Sequence, residues 1–364
     1  MPRIICTVTN DLTYDQRMIR ICTSLASAGY DVQLIGRQQL DSQALVAHPF
    51  EQKRLPCRFK RGKLFYIEYN IRLFFYLLFV KFDIICAVDL DTILPAIATA
   101  KLRRKRCVYD AHEYFTETPE VVRRPSIQRV WEWVARIAIP RVDAAYTVGE
   151  ELSNILSERY GKDFQVVRNV PFQQSAVAHP DPTQAPVILY QGALNEGRGL
   201  EAAIAAMHHL EGAVLWLAGE GDLSAALRQM VHAQGLEQRV RFFGYVPPED
   251  LRKLTLQATI GLNLLENSGL SYYYSLANKA FDYIQAGLPS LHMNFPEYQR
   301  LNEAHHVFLL LHQLDPTLIA HTIQLLLDNP ERYAQLRANC LRARQQLIWE
   351  KEEARLLAIY AALW

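Results

Sequence analysis

The chain has 364 residues, of which half are hydrophobic and 21% are charged. This length is enough for two hydrophobic cores, and the composition is too apolar for a disordered protein. The 39 Lys and Arg residues nearly balance the 38 Asp and Glu residues, which gives a formal net charge of +1. A chain-wide electrostatic attraction to nucleic acid is therefore excluded, and we expect no nucleic-acid partner.

The six cysteines indicate buried, reduced thiols. No two of them form a Cys-x-x-Cys pair, which excludes zinc ribbons and dithiol redox motifs. Reduced thiols in apolar runs fit a reducing compartment. The first residues, 1–8, have the pattern of a strand and not of a signal peptide. We therefore expect a cytoplasmic protein. The cysteines that lie in apolar runs are Cys6, Cys22, Cys86 and Cys107.

Short apolar segments alternate with helical segments along the first half of the chain. The pattern predicts a strand over 3–9 and then a helix over 15–28, which Gly29 ends. This alternation is typical of βαβ units and predicts a buried parallel sheet. Further strands are predicted at 31–36, 83–88, 107–110 and 144–148.

An aromatic-rich segment, residues 62–81, reads GKLFYIEYNIRLFFYLLFVK. It is too short and too charged for a transmembrane helix, because Glu68 and Arg72 fall in its middle. Two interpretations stay open: a helix that faces the core, or an interfacial helix with its aromatic side chains among lipid headgroups. The basic run 101–106 would suit anionic lipid, and it would equally suit a solvated helix end. The interfacial interpretation of residues 62–81 predicts peripheral contact with the inner face of the plasma membrane.

A segment with four prolines, residues 171–186, divides the chain and is predicted to be a linker. The prediction is thus an α/β protein with two successive parallel-sheet domains, 1–170 and 187–346. A C-terminal helix within 347–364 could pack back on the first domain. Because ligands bind outside the carboxyl ends of parallel strands, we expect the active site in a cleft between the halves. The second half has strands predicted at 187–191, 213–218, 240–243, 260–265, 288–293 and 307–310.

The segment 264–297 carries the densest set of candidate site residues. It contains a polar loop and then a helix predicted over 276–286, in which Asn278 and Asp282 share a face. Lys279 falls in the first turn, where a cation is unfavourable by about 0.3–1 kcal/mol unless an anion binds there. This pattern indicates that Lys279 binds a phosphate and that Asp282 accepts ribose hydroxyls. The alternative is a weak Lys–Asp pair on the surface.

The sequence SLANKAFDYIQAGLP, residues 275–289, resembles the nucleotide-sugar motif of retaining GT-B glycosyltransferases, the large family four. The resemblance places the second glutamate of the family's Glu-x7-Glu pair, which holds the donor ribose, at Asp282. The first glutamate falls on Tyr274, which is a departure from the family pattern. The resemblance implies that Asn278 and Lys279 make part of the diphosphate contact.

The resemblance continues upstream. YQGALNEGRGL, residues 190–200, is similar to the motif that opens the family's donor domain, with Gly192 at the strand end. Arg198 takes the position of the family's diphosphate-binding lysine, whereas Ala193 stands where the family has an arginine. LAGEGD and VRFFGYVP resemble the next two donor-domain strands. They imply that the backbone around Gly244 and Tyr245 reads the nucleotide base.

The first half resembles the family's acceptor domain. TNDLTYDQRMIR, residues 9–20, is similar to its first loop and helix, although Asp15 and Arg17 fit helix capping and an ion pair equally well. His112 follows a predicted strand, at the place where a family histidine faces the donor sugar. The remaining acceptor-side candidates are Asp11, Asp89, Asp91 and Glu113, and an N-cap of the next helix is an equal alternative for the pair at 89 and 91.

The resemblance implies two Rossmann-like domains that face each other across a cleft. It implies transfer of a sugar from a nucleotide-diphosphate sugar to an acceptor hydroxyl with retention, in polysaccharide or lipid-linked glycan synthesis. The expected catalytic residues are His112, Arg198 and Lys279, with no metal and no cofactor. A nucleotide-sugar 2-epimerase and an inactive scaffold, the latter motivated by Ala193 and Tyr274, are the alternatives. A dehydrogenase is disfavoured because no Gly-x-Gly-x-x-Gly follows the first strand.

Overall fold

The structure is a computed structural model, and it describes residues 1–13, 15–40, 42–60, 62–181 and 183–364. The chain divides into two compact units. Unit 1 comprises residues 1–169 and 352–364, and unit 2 comprises residues 170–351. Each unit contains one parallel sheet, as the alternation of strands and helices predicts.

The sheet of unit 1 has seven strands in the order β3-β2-β1-β4-β5-β6-β7. The chain winds outward from β1 in both directions, so the strand order reverses between β1 and β4. Such a reversal leaves a crevice outside the carboxyl ends of the two strands. The strands are β1 (Arg3–Thr7), β2 (Asp31–Gln38), β3 (Glu51–Pro56), β4 (Ile84–Val88), β5 (Arg106–Ala111), β6 (Ala144–Thr147) and β7 (Phe164–Val166).

The helices of unit 1 pack beside this sheet. Asp15 is the N-cap of the first of them and accepts a hydrogen bond from the Met18 amide at 3.0 Å, so the capping interpretation of Asp15 is confirmed. The helices are α1 (Gln16–Ser27), α2 (Lys63–Phe79), α3 (Ile93–Leu102), α4 (Pro119–Val122), α5 (Pro125–Ala138) and α6 (Glu150–Tyr160), with 3-10 turns at Phe115–Glu117 and Ile139–Arg141.

Helix α2 forms within the aromatic-rich segment and buries one stripe of its surface. The side chains of Phe65, Tyr69, Leu73 and Leu77 recur every four residues and are buried. The Tyr69 hydroxyl donates to the Val8 carbonyl at 2.5 Å. The core-facing interpretation of this segment is therefore confirmed for one face of the helix.

The sheet of unit 2 has six strands in the order β10-β9-β8-β11-β12-β13, with the reversal between β8 and β11. The strands are β8 (Val187–Gln191), β9 (Val214–Ala218), β10 (Val240–Gly244), β11 (Ile260–Asn263), β12 (Ser290–Met293) and β13 (Phe308–Leu311). The helices are α7 (Leu200–Ala206), α8 (Ser224–Ala233), α9 (Pro248–Gln257), α10 (Leu270–Tyr273), α11 (Asn278–Ala286), α12 (Pro296–His305), α13 (Pro316–Leu327) and α14 (Pro330–Ala343).

The proline-rich segment 171–186 contains neither helix nor strand in its described part, yet it is packed on unit 2. Ala178 is fully buried, and its amide donates to the Ala286 carbonyl at 2.7 Å. The prediction of a linker with few apolar anchors therefore needs correction. One alanine without a long side chain is anchored through its backbone, which an apolar pattern does not reveal.

The last helix, α15 (Trp349–Ala361), begins in unit 2 and continues into unit 1. From residue 352 onward it contacts unit 1. The buried Glu352 carboxylate accepts from the Arg168 amide at 3.0 Å and lies 3.3 Å from the Arg168 guanidinium. Tyr360 is fully buried. No helix within the described ranges is long and apolar enough to cross a membrane.

Two strands and one helix start differ from the sequence-based expectations. Strand β3, EQKRLP, and the three-residue β7 lie at the two edges of their sheet and were not predicted. Edge strands carry polar side chains and lack the apolar run of a central strand. Helix α11 begins at Asn278 and not at 276, because Ala277 has the extended backbone of an N-cap.

We predict that Gly219→Ala destabilises unit 2 through a backbone clash. Gly219 has φ +150°, and a Cβ there would lie 1.9 Å from the Gly192 carbonyl oxygen, which is backbone and cannot rotate away. We expect a loss of more than about 3 kcal/mol, since strain and clash add. Chemical denaturation should measure it. The matched control is Gly212→Ala, at φ +69° with open space around the site, which should lose only about 1–2 kcal/mol. Equal losses in both variants would contradict the clash.

Candidate functional site

An open pocket of about 360 Å³ lies in unit 2 at the carboxyl end of β8. This is the point where the strand order reverses, between β8 and β11, and ligands of doubly wound sheets bind at such points. Five of the residues predicted from the sequence line it: Gly192, Arg198, Asn278, Lys279 and Asp282. The other lining residues are Tyr190, Gln191, Ala193, Leu251 and Ala277.

Lys279 is the second residue of α11 and places its ammonium group beside the pocket. Its Nζ lies 3.7 Å from the centroid of the Tyr190 ring, and a Cβ at Gly192 would be 3.4 Å from it. Burial, together with the nearby Arg198 guanidinium, lowers the pKa of Lys279 well below its usual value. The carboxylate of Asp282, which lines the same pocket, acts in the opposite direction and favours the charged form of Lys279.

Arg198 brings a second cation to the same pocket. It lies in the loop after β8, and its guanidinium is 4.8 Å from the centroid of the Tyr272 ring. Its Nε is buried and has no hydrogen-bond partner within the described ranges. A buried donor without a partner is costly, and so is a second cation next to the first. Both features indicate a site that is complete only when it holds an anion.

Asp282 is held in place by a buried glutamine that the sequence analysis did not identify. The Gln191 side-chain amide donates to Asp282 Oδ2 at 3.0 Å, and its carbonyl accepts from the Thr255 hydroxyl at 2.8 Å. Gln191 is the last residue of β8 and is buried. Its signal in the sequence is a polar residue at the end of an apolar strand. Tyr190 was likewise missed, because an aromatic residue in a strand is ordinarily part of the core.

Two of the predicted nucleotide-binding residues do not line this pocket. Gly244 ends β10 with φ +69°, and Tyr245, which follows it, is 60% exposed. The two departures from the family pattern are placed differently. Ala193 lines the pocket, and its carbonyl accepts from the Tyr190 hydroxyl at 2.7 Å. Tyr274 directly follows α10, and its ring packs against Tyr273.

A cluster of polar side chains lies in unit 1 at the carboxyl ends of β4 and β5. The His112 amide donates to Asp89 Oδ1 at 2.9 Å. The His112 ring lies 3.0 Å from Asp110 Oδ2 through Nε2 and 3.9 Å from Asp89 Oδ2 through Nδ1. Asp91 accepts from the Thr9 hydroxyl at 2.5 Å. The sheet order therefore brings together groups from three predicted strand ends.

A buried ion pair holds Asp110, the aspartate that contacts the His112 ring. Arg17 of α1 contacts Asp110 at 2.8 Å, and the same guanidinium donates to the Val167 carbonyl at 3.1 Å. Asp110 therefore lies between Arg17 and His112. Burial opposes its ionisation, but the two cations outweigh burial and lower the pKa of Asp110 to about 2. The ion-pair interpretation of Arg17 is confirmed, and its partner is the aspartate that precedes His112 by two residues.

His112 is a cation at neutral pH. Burial disfavours its charged form, but the carboxylates of Asp110 and Asp89 outweigh burial and raise the pKa of His112 to about 9. A protonated imidazole cannot act as a general base. It can donate hydrogen bonds and stabilise negative charge on a ligand.

The other acceptor-side candidates differ in their surroundings. Burial raises the pKa of Asp91 to about 6 and that of Asp89 well above its usual value. The N-cap alternative for this pair is wrong, because the N-cap of α3 is Thr92. Asp11 accepts from the Thr13 amide at 3.1 Å in a local turn. Glu113 is exposed, and its charge contributes to the raised pKa of Asp89.

Two parallel-sheet Rossmann-like units, one with a cationic pocket at its reversal point, define the GT-B fold class. Residues 16–170 match the family model described as Glycosyltransferase Family 4, and residues 172–342 match the model described as Glycosyl transferases group 1. Together the two matches cover most of the chain, and both describe glycosyltransferases. The chain belongs to the GT-B glycosyltransferases.

One curated relative is the lipopolysaccharide core biosynthesis glycosyltransferase LpsE of Rhizobium meliloti, 36% identical over 64 residues. That match covers 18% of this chain and 19% of the relative. Among solved structures, the sucrose-phosphate synthase of Thermosynechococcus elongatus is 18% identical with a TM-score of 0.83, covering 100% of this chain and 99% of that one.

Two further solved structures share the fold. HepE of Anabaena, in complex with UDP and glucose, is 14% identical with a TM-score of 0.79, covering 99% of this chain and 100% of that one. WaaG, a glycosyltransferase involved in lipopolysaccharide biosynthesis, is 14% identical with a TM-score of 0.77, covering 98% and 99%. At these identities the likeness shows the fold.

We predict that His112 makes stability fall with rising pH. Because its folded pKa of about 9 exceeds the ordinary value of about 6.5, its contribution is complete below about pH 6.5 and is lost as the pH rises through about 9. Denaturation at a series of pH values should show this slope, up to ~1.4 kcal/mol per pH unit, in the wild type and not in His112→Gln. The exposed His321→Gln serves as control. Parallel pH profiles for wild type and His112→Gln would refute the assignment.

Proposed function

We propose that this glycosyltransferase transfers a sugar from a nucleotide-diphosphate sugar to an acceptor hydroxyl, with retention of the anomeric configuration. One observation carries the proposal. Lys279 and Arg198 meet at the reversal point of unit 2, where they share the pocket with one acidic side chain of its lining, Asp282. A diphosphate has the charge and size that such a pair would bind.

The pocket offers a contact for each part of the donor nucleotide. The diphosphate lies against Lys279 and Arg198, at the N-terminal end of α11, where the helix dipole favours a negative charge. Gly192, which has no side chain, lets the backbone approach the phosphates closely. Asp282, oriented by Gln191, accepts the ribose hydroxyls. HepE binds UDP and glucose, which supports a nucleotide-sugar donor here.

The chemical step is largely electrostatic. The bond between the anomeric carbon and the diphosphate breaks, and the leaving diphosphate takes both electrons. Lys279 and Arg198 stabilise the charge that grows there. An oxygen of the departing phosphate accepts the proton of the acceptor hydroxyl, whose oxygen bonds the anomeric carbon on the same face. A bound anion beside Lys279 favours its charged form, which opposes the lowering of its pKa by burial and by Arg198.

The acceptor belongs to unit 1 in this proposal. Asp91 is buried and Asp89 is half-buried, and both carboxyl groups have raised pKa values, which suits hydrogen bonding to the hydroxyls of a sugar. His112, held as a cation by Asp110 and Asp89, belongs to the same set of hydrogen-bonding groups. The similarity over 64 residues to a lipopolysaccharide core biosynthesis glycosyltransferase supports a glycan or lipid-linked acceptor. A cytoplasmic location is part of the same proposal and is supported by the free cysteines.

An inactive glycosyltransferase-like scaffold is the second candidate. Tyr274 in place of a family glutamate and Ala193 in place of a family arginine favour it. Nucleotide binding separates the two candidates in one case only, which is when the protein binds no nucleotide at all. A panel of nucleotides and nucleotide sugars should raise the thermal stability of the enzyme, whereas a flat panel would favour the scaffold.

We predict that Lys279→Ala and Arg198→Ala each reduce turnover by about 10²–10³, or about 3–4 kcal/mol in the barrier, with the fold intact. Steady-state kinetics with the nucleotide sugar that stabilises the protein most would measure the loss. Lys253→Ala is the matched control, because Lys253 is an exposed lysine of unit 2 that pairs with Asp250 and does not line the pocket. Rates near wild type in either pocket variant would exclude the proposed diphosphate contact.

We also predict the stereochemistry and the metal requirement. The product should keep the anomeric configuration of the donor sugar, which proton NMR of the new linkage would reveal. Turnover should be unchanged by a chelator, because two side-chain cations do what a divalent metal does elsewhere. An inverted product would overturn the front-face route. Loss of activity with chelator and recovery with magnesium would overturn metal independence.

A further inference from the structure

Helix α2 carries a second apolar stripe that the fold leaves in water. Ile67, Ile71, Phe75 and Phe79 are 54%, 52%, 56% and 85% exposed, and Leu64 extends the stripe at 49%. Each of the four lies two positions after a residue of the buried stripe, which is about 200° around a helix at 3.6 residues per turn. The two stripes are therefore on opposite faces, and the core accounts for only one.

Cations surround this exposed stripe at both ends. Lys63 and Lys81 are exposed at the N-terminal and C-terminal ends of the segment. The basic run 101–106 lies at the same end as Phe79, because the Arg103 guanidinium donates to the carbonyls of Leu77 and Val80. Glu68, the acid within the helix, already pairs with Arg72. Apolar side chains bordered by exposed lysines match an anionic lipid surface.

Helix α5 contacts α2 and also exposes apolar side chains. Its Trp131 ring contacts Tyr66 of α2 edge-on at 5.7 Å, so the two helices are neighbours. Val130 and Trp133, three residues apart on α5, are 58% and 60% exposed. A tryptophan with an apolar body and a polar N–H is favoured in the headgroup layer of a membrane.

We propose that the outward face of α2 docks unit 1 on a membrane surface rich in anionic lipid, with the helix axis parallel to that surface. The buried stripe fixes the helix to unit 1, so α2 cannot turn to cross the bilayer. It lies in the interface with its exposed stripe immersed, the arrangement of a monotopic helix. A second copy of this chain fits the stripe less well. A two-fold pairing of the stripes would bring the end lysines of one copy next to those of the other, and these like charges repel.

Docking also places the acceptor-side cluster near the lipid, a consequence that rests on the proposed function. The inward face of α2 touches that cluster directly. Asn70 donates to the Asp91 carbonyl at 2.8 Å, and Tyr69 donates to the Val8 carbonyl next to Thr9. One helix, about 10–12 Å across, thus separates the membrane surface from Asp91. A lipid-linked acceptor at that surface is within reach of the cluster.

The test is co-sedimentation of the full chain with vesicles of phosphatidylcholine containing one third phosphatidylglycerol, and with vesicles of phosphatidylcholine alone. Wild type should bind the anionic vesicles more strongly, and added salt should weaken that binding. Ile71→Gln with Phe75→Gln should lower the binding constant at least tenfold. Lys63→Gln and Lys81→Gln should each lower it about fivefold, on anionic vesicles only.

Two controls keep the outcomes separate. Leu325→Gln removes an exposed leucine from α13 of unit 2 and should bind as wild type. Lys279→Ala should also bind vesicles as wild type does. The α2 double variant should keep its thermal shift with nucleotide. A failure of docking and a failure of the proposed function therefore give different results. Unchanged vesicle binding in the double variant would overturn the proposal. So would a wild-type dimer in sedimentation that the double variant abolishes, because a second copy would then cover the stripe.

Discussion

The candidate site of unit 2 depends on two basic side chains that share a pocket with a single acidic side chain of its lining, Asp282. The charged groups of Lys279 and Arg198 each lie against an aromatic ring. A ring face attracts a cation, but less strongly than an ionised carboxylate does. The cost of this arrangement appears in the lowered pKa of Lys279. An anionic ligand removes that cost when it binds, and the removal of the cost contributes to the affinity for a diphosphate.

In the cluster of unit 1, by contrast, each cation contacts a carboxylate. The His112 cation is held between two carboxylates, and the carboxylate nearest to it is also bound by Arg17. These charges largely cancel one another inside the unit, so this cluster offers little net charge to a ligand. What it offers is a fixed set of hydrogen-bonding groups at strand ends. One unit is therefore suited to a strongly charged group and the other to neutral hydroxyls, which matches a nucleotide-sugar donor and a sugar acceptor.

Much of this could be predicted from the sequence, because the relevant signals are local. Lys279 and Asp282 are three residues apart on one helix, and central strands such as β8 are short apolar runs between polar loops. The contacts that were missed are not local. Arg17 and Asp110 are 93 positions apart, and Gln191 and Asp282 are 91 positions apart. Each of these pairs joins a helix residue to a strand residue, and it forms only because the fold of the whole unit brings that helix and that strand together.

Helix α2 shows a different limit of sequence interpretation. Its apolar residues occupy nearly the whole circumference, and such a helix is ordinarily buried on all sides or inserted in a membrane. The periodicity therefore could not decide between a core helix and an interfacial one. The structure confirms the core-facing stripe at Tyr69 and Leu73, which is buried. The stability of the fold does not explain the stripe at Ile71 and Phe75, because an exposed apolar side chain gains little from folding. The proposed docking accounts for that stripe, because the lysines at its two ends complement a negatively charged surface.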